Sequence, residues 1–359
     1  MIDISANRIR LRAPLRPALG SRFQPTGFPD LGAAEFTSYN DDGDAVRSLL
    51  VESTQSMANR LENTTWDPAQ QAPIALLADL PHVEVRHADG PPHRFLTSSR
   101  QEAHRLASPF VREARLDDQS MAQVIGQRLD LANHKPLSYP AMARALMSLD
   151  PLVLLHGCFF NQKAWPGQPR FARAVSAAIE AHDIEQAISG GRKSDHVRHT
   201  TSGDGDEGTA LGGSSEGYGS IPYSRVEYTA RHIEAQFSID VQLLRSYGLA
   251  SHTTELLATL ALWEIRTFLE SGLRLRTACD LDLAGDIQGT APLPTTRELT
   301  QRLRELLPQT IAELDHTGPL TVLWSDDKPK KPRKATAKNT VPAPATTESA
   351  EAQEEAATA

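Results

Sequence analysis

An α+β fold is predicted by three features of the sequence. Apolar residues Ile9, Leu11 and Ala13 alternate with Arg8, Arg10 and Arg12; a second alternation runs from Ile233 to Asp240; and stretches with apolar residues at helical spacing lie between and after them. A period of two belongs to a half-buried strand, whose successive side chains point to opposite faces, and a period near 3.6 belongs to a helix that buries one stripe. With 359 residues, 40% of them hydrophobic, the chain can bury a large core in one or two domains.

The first strand spans Ile4 to Leu15 and places three guanidinium groups in a row on one face. A row of like charge suits either an edge strand kept from pairing or a surface that meets phosphate. Residues 1 to 29 carry five arginines against the single acid Asp3, although the whole chain has a formal charge of −8. The positive charge is thus local, and the acidic excess lies elsewhere. Gly20 to Pro29 has Gly and Pro at turn spacing and reads as a rigid loop carrying Arg22, Phe23, Gln24 and Phe28.

Residues 44 to 62 read as one amphipathic helix with Asp44 as N-cap: Val46, Leu49, Leu50, Met57 and Leu61 form its apolar side, and Glu52, Gln55, Ser56 and Asn59 fall on the other. Short strands are expected at 83–86 and 94–97 around an Asp-Gly-Pro-Pro turn, and helices at 99–106, 121–131 and 139–149. The apolar run 151–156 after a proline reads as a buried strand. The stretch 171–184 fits either period. Ser189 to Gly219 holds nine of the 22 glycines with Arg192, Lys193 and Arg198, and is expected to be a long inserted loop. A buried helix over 256–269 with a stop near Gly272 and a strand over 273–281 carrying Arg274 and Arg276 follow. From residue 326 to 359 large apolar residues nearly vanish, and a disordered tail is expected after a domain of 1–325.

Catalytic and cofactor motifs fail on spacing. Ser189-Gly-Gly-Arg-Lys-Ser194 lacks both glycines of a phosphate loop, and no His-Glu-x-x-His, Gly-x-Ser-x-Gly or Gly-x-Gly-x-x-Gly occurs. Asp280 and Asp282 are read as ion-pair partners of nearby arginines rather than metal ligands. The two cysteines, Cys158 and Cys279, supply neither a disulfide framework nor a zinc knuckle. No catalytic residue, metal or cofactor is therefore expected. No run of ~18 apolar residues occurs and Met1–Gly20 lacks a signal-peptide core, so a cytoplasmic protein without a membrane partner is expected.

Five strings, Gly20–Pro29, Leu50–Glu62, Ser98–Pro109, Gly217–Tyr228 and Leu273–Leu281, resemble the RAMP backbone subunit, of the Cas seven kind, from type I-G (formerly I-U) CRISPR effector complexes. The resemblance spans residues 4 to 285. It implies a modified ferredoxin-like or RRM core with large insertions, a strand at 171–184, and a thumb-like role for 189–219. It also implies a function: holding CRISPR RNA, in side-by-side copies of the chain, for pairing with target DNA as a heteroduplex. Further partners would be the other effector-complex subunits and a helicase-nuclease. Guide RNA must be gripped without regard to sequence, through phosphates and stacking. The residues assigned to that grip are Arg8, Arg10, Arg12, Arg22, Phe23, Gln24, Gln55, Asn59, Arg192, Lys193, Arg198, Arg274 and Arg276. The chain lacks the RRM aromatic string, so RRM-style base readout is not expected. The competing reading is a RAMP endoribonuclease that processes CRISPR RNA with His104, His196 or His199 as acid or base; a third is target-RNA cleavage by Asp204 or Asp206.

Overall fold

A computed structural model of the chain describes residues 5–28, 32–40, 42–193 and 221–326. In chain order the principal elements are β1 (Arg8–Pro17), β2 (Glu35–Tyr39), β3 (Ala45–Glu52), α1 (Thr54–Asn63), β4 (His82–His87), β5 (Phe95–Ser98), α2 (Pro109–Glu113), α3 (Met121–Arg128), α4 (Tyr139–Met147), α5 (Val153–His156), β6 (Val175–Lys193), β7 (Ile221–Asp240), α6 (Val241–Ser246), α7 (Ser251–Glu270), β8 (Arg274–Arg276), β9 (Cys279–Leu283), α8 (Thr296–Ile311) and β10 (Pro319–Trp324). The fold is mixed α and β, as its patterning predicts.

The main sheet has the order β8-β9-β1-β7-β6-β3-β2, and the short Gln288–Gly289 strand also pairs with β1. Counting β1, β6, β7 and β9 as first to fourth, the centre of this antiparallel sheet reads 4-1-3-2. β1 shows the expected alternation: Ile9, Leu11, Ala13 and Leu15 are buried and Arg8, Arg10, Arg12 and Arg16 exposed. Its neighbour β7 pairs Arg8 with Asp240 and Leu15 with Ile233. The apolar face is covered by helices: α7 is buried almost all round, α1 contributes Met57, Ala58 and Leu61, and α5 lies beneath β6. Bidentate contacts of 2.8 Å from Arg302 to Glu255 fasten α8 to α7. A second, mixed sheet pairs β10 parallel to β4, with β5 antiparallel on the far side.

β6 and β7 are far longer than ordinary strands. At 19 and 20 residues, paired from Val175 and Ile239 out to Lys193 and Ile221, they make a ribbon of about 60 Å at ~3.3 Å per residue. The strand expected at 171–184 is present from Val175, and residues 189–193, expected in the loop, continue it; 194–220 lie outside the described residues. Within β6 the buried positions run Val175, Ala177, Ile179, Ala181 and then Ile184, so the inward phase changes at Asp183. Asp183 has φ 55°, a left-handed conformation that Asp tolerates better than most residues, and the pairing with β7 keeps its register on both sides of it.

Four other expectations are corrected. Residues 45–52 are strand β3, not the start of a helix, because the chain turns back on β2 just before them: the Asn40 side-chain oxygen accepts the Asp44 amide at 2.7 Å and Gly43 has φ 85°. The helix begins only at Thr54, capped by Ser53, which accepts the Ser56 amide at 3.3 Å, so Asp44 caps nothing. Residues 99–106 form turns and a short 3-10 segment, Arg105–Ala107, before α2. Pro151–His156 is buried but folds as one helical turn, and its short apolar run had no period to separate the two states. Residues 273–281 fold back at Ala278, φ 56°, into a hairpin that pairs Arg274 with Asp280. Met1–Trp324 form one compact unit; of the second, Ser325–Ala359, only two residues are described, so the tail expected over 326–359 falls almost wholly outside. Among the described residues no helix is long and apolar enough to cross a membrane.

Candidate nucleic-acid interface

β1 sets its arginines on the sheet face away from the helices, beside polar residues of β7. Arg8 donates to Asp240 at 2.7 Å, and Arg12 lies 3.9 Å from Glu234. Arg10 stands opposite Ser238, and its side chain has no acidic or hydrogen-bonding partner among the described residues. Exposed ion pairs of this kind are worth about 0–1 kcal/mol, so an arriving phosphate can displace the carboxylates, and at Arg10 it need displace only water.

Other predicted residues scatter. Arg22 lies 3.4 Å from Glu227. Phe23 is 0% exposed, held by mutual backbone hydrogen bonds of 2.9 Å with Tyr228, so it is a core residue and cannot stack on a base. Gln24 is half-buried and gives its carbonyl to Arg276 at 3.2 Å. Arg276 also bonds the Val51 carbonyl at 2.8 Å and the carboxylate of Glu52, which is 3% exposed and takes Arg60 as well, at 3.3 Å. Arg276 is thereby a latch between the β8–β9 hairpin and β3, not a free phosphate ligand. Arg274, 84% exposed with Asp280 3.8 Å away, keeps its availability. Gln55 and Asn59 are exposed one turn apart on α1, in the helical layer and away from the arginine row. Arg192 and Lys193 end β6, their side chains and Arg198 lying outside the described residues.

A basic cavity missed by sequence reasoning adjoins the row. The short pair Cys158–Phe159 and Arg170–Phe171 walls a cavity of 600 Å³ with His104, Arg112, Arg173 and Ser176 on its lining. Ser176 pairs with Ser238, which pairs with Arg10, so one cross-strand row on the open face links the arginine strand to the cavity mouth. Burial, then the charges of Arg105 and Arg170, push the Arg173 guanidinium below its usual pKa. Its Nε is buried without a partner. The chain approaches closely here: Gly157, φ 77°, would set a Cβ 2.8 Å from the Phe171 carbonyl oxygen. A sequence signal existed, since no Asp or Glu occurs between Asp150 and Glu180 while Lys163, Arg170 and Arg173 do.

The nucleophile and base candidates are placed as follows. Burial pushes the Cys158 thiol up to about 12 and Cys279 to about 11, leaving both protonated at neutral pH. His104 is exposed at the cavity rim. His196, His199, Asp204 and Asp206 lie outside the described residues. Among the described residues no group of three His, Cys, Asp or Glu side chains could hold a metal ion.

Residues 9–186 match the sequence profile of the family described as CRISPR-associated protein GSU0053. That match covers just under half of the chain. The matched span runs from β1 into β6 and includes Arg10, Arg12, Arg170 and Arg173. No curated protein is similar enough to count as a match. A chain from a solved structure described as "CRISPR RNA-guided surveillance complex, pre-nicking" is 13% identical over 84% of this chain and 86% of its own length, with a TM-score of 0.38. That score lies below the level at which a shared fold follows.

Proposed function

We propose that this chain is a RAMP protein of the Cas seven kind, a non-catalytic backbone subunit that binds CRISPR RNA in a type I-G effector complex, several copies lying along one guide. The observation that carries the reading is the arginine row of β1 on the uncovered face of a 4-1-3-2 sheet, the ferredoxin-like order, within a segment matching a CRISPR-associated family. Backbone phosphates are its natural ligands, because a row of guanidinium groups neutralises phosphate charge whatever the base sequence. Other effector subunits, target DNA paired with the guide, and a helicase-nuclease are the partners this role requires.

Affinity for a single-stranded repeat-spacer RNA is expected to fall linearly with salt on logarithmic axes, and each arginine removed from phosphate contact flattens the slope by about 0.7. Arg10→Gln is expected to show that change, and Arg12→Gln to add to it. An unchanged slope in the double variant would show the row to be merely solvated.

Labelled repeat RNA and target RNA incubated with the protein and Mg²⁺ are expected to stay intact. Site-specific cleavage lost in His104→Ala would instead make the protein a processing endoribonuclease.

A further inference from the structure

We propose that the cavity behind Phe159 is a single-nucleotide subsite, in which Arg170 and Arg173 hold one phosphodiester and the ring of Phe159 stacks the adjoining base. The inference rests on the nucleic-acid reading above and assigns a ligand to a site lying outside the arginine row.

Three features converge. First, the cavity is cationic with no compensating acid at Arg170 or Arg173: neither guanidinium has an acidic partner among the described residues, and the partnerless Nε of Arg173 marks a donor awaiting an acceptor. A buried unsatisfied donor costs about 1–3 kcal/mol, and an anionic oxygen satisfies it while relieving the mutual repulsion of Arg105, Arg170 and Arg173. Second, Phe159 is 47% exposed although its neighbours Cys158 and Phe160 are buried. Arg170 lies over its ring with the guanidinium carbon 5.7 Å from the centroid, which fixes the ring and leaves an aromatic surface in solvent. An exposed aromatic beside unpaired arginines is the pairing by which single strands are held without sequence preference. Third, the mouth of the cavity bears Ser176, at the end of the row through Ser238 to Arg10, about 10 Å away at ~4.8 Å per strand. A strand on the arginine face therefore reaches the cavity within one or two nucleotides.

The ligand chemistry is a phosphodiester with an unpaired base, which guide RNA and single-stranded DNA both offer. The test uses the full chain and single-stranded RNA and DNA oligonucleotides of one sequence, each also made with abasic positions. Phe159→Ala is expected to weaken binding roughly tenfold on intact strands and leave the salt slope unchanged, with no effect on the abasic strand. Arg173→Gln is expected to flatten the slope by about 0.7 on intact and abasic strands alike. Phe159→Leu, which keeps apolar volume without an aromatic face, guards against a folding defect, and circular dichroism of each variant against the parent completes the control. Effects on RNA alone assign the subsite to the guide; equal effects on DNA assign it to any single strand. Unchanged affinity and slope in the Phe159 and Arg173 variants, with the Arg10 effect intact, would overturn the subsite and leave the RNA-binding reading standing. Failure of the parent to bind RNA would overturn both.

Discussion

Replacing Arg105 by methionine is expected to destabilise the protein by about 3–5 kcal/mol, because it strands a buried carboxylate. Arg105 and Glu62 are both buried, with Nε donating to Oε1 at 2.9 Å and Nη2 lying 2.8 Å from Oε2. Arg105 also bonds the Gly157 carbonyl at 3.2 Å, so the pair joins α1 to the floor of the basic cavity. Burial pushes the Glu62 carboxyl above its usual range, opposed by the charge of Arg105. Without Arg105 the main charge opposing that desolvation is gone. Urea unfolding should show a lower midpoint with an unchanged m-value. The double variant Arg105→Met, Glu62→Leu should recover most of the loss, since a buried ion pair can be exchanged for apolar side chains of similar size far more cheaply than it can be halved. A single variant within ~1 kcal/mol of the parent would show that water reaches the pair.

The second large effect is acid lability centred on His82. Its ring is buried, its Nδ1 lies 3.3 Å from the Leu80 carbonyl, and its Nε2 has no partner. Desolvation first, then the charge of Arg100 and that of His316, lowers its pKa from 6.5 to about 3. A histidine whose folded pKa is depressed contributes stability that is fully present above the unfolded value, near 6.5, and is lost as pH falls towards the folded value. Between those limits each unit of pH costs about 1.4 kcal/mol, so acidification from pH 6.5 to 4 should remove on the order of 3 kcal/mol from this group. His82→Gln should flatten the dependence of unfolding free energy on pH in that window. Parallel curves for the two proteins would show that other groups dominate. Glu35 acts lower still: hydrogen bonds from Tyr228, Arg47 and Gln186 hold its carboxyl at about 2, so its contribution is lost only between about pH 4.5 and 2.

Both effects come from groups that the fold buries, and the division between buried and exposed charges explains how an acidic chain can present a basic surface. Arg60, Arg100, Arg105, Arg276 and Arg302 are consumed by internal acids or carbonyls. At the candidate interface, Arg10 on the strand and Arg170 and Arg173 at the cavity have no acidic partner among the described residues. An arginine count along the chain weighs these groups equally, although the first set has no charge to spare for phosphate.

The alternation in β1 determined by itself that Arg8, Arg10 and Arg12 share an exposed face, because a period of two has only one solution once Ile9, Leu11 and Ala13 are buried. The helical face of Met57 and Leu61, the buried helix before Gly272 and the mixed fold were legible for the same reason: each rests on local periodicity. Tertiary structure decided everything that depends on partners distant along the chain. Phe23 sits in a glycine- and proline-rich loop that looks like a display segment, yet Tyr228 draws it into the core. Arg276 has the same spacing from Arg274 as Arg10 from Arg12, yet Glu52 lies within its reach and claims its charge. Strand β3 was mistaken for a helix because Val46, Leu49 and Leu50 fit both periods, and only pairing with β2 and β6 separates them. The basic cavity needed residues from positions 104, 112, 159, 170, 173 and 176 to meet. The acid-free stretch between Asp150 and Glu180 announced the charge, but closure of a two-residue strand pair against the Arg105 turn placed it beside the arginine row, and burial without a partner is what makes Arg173 receptive to an anion.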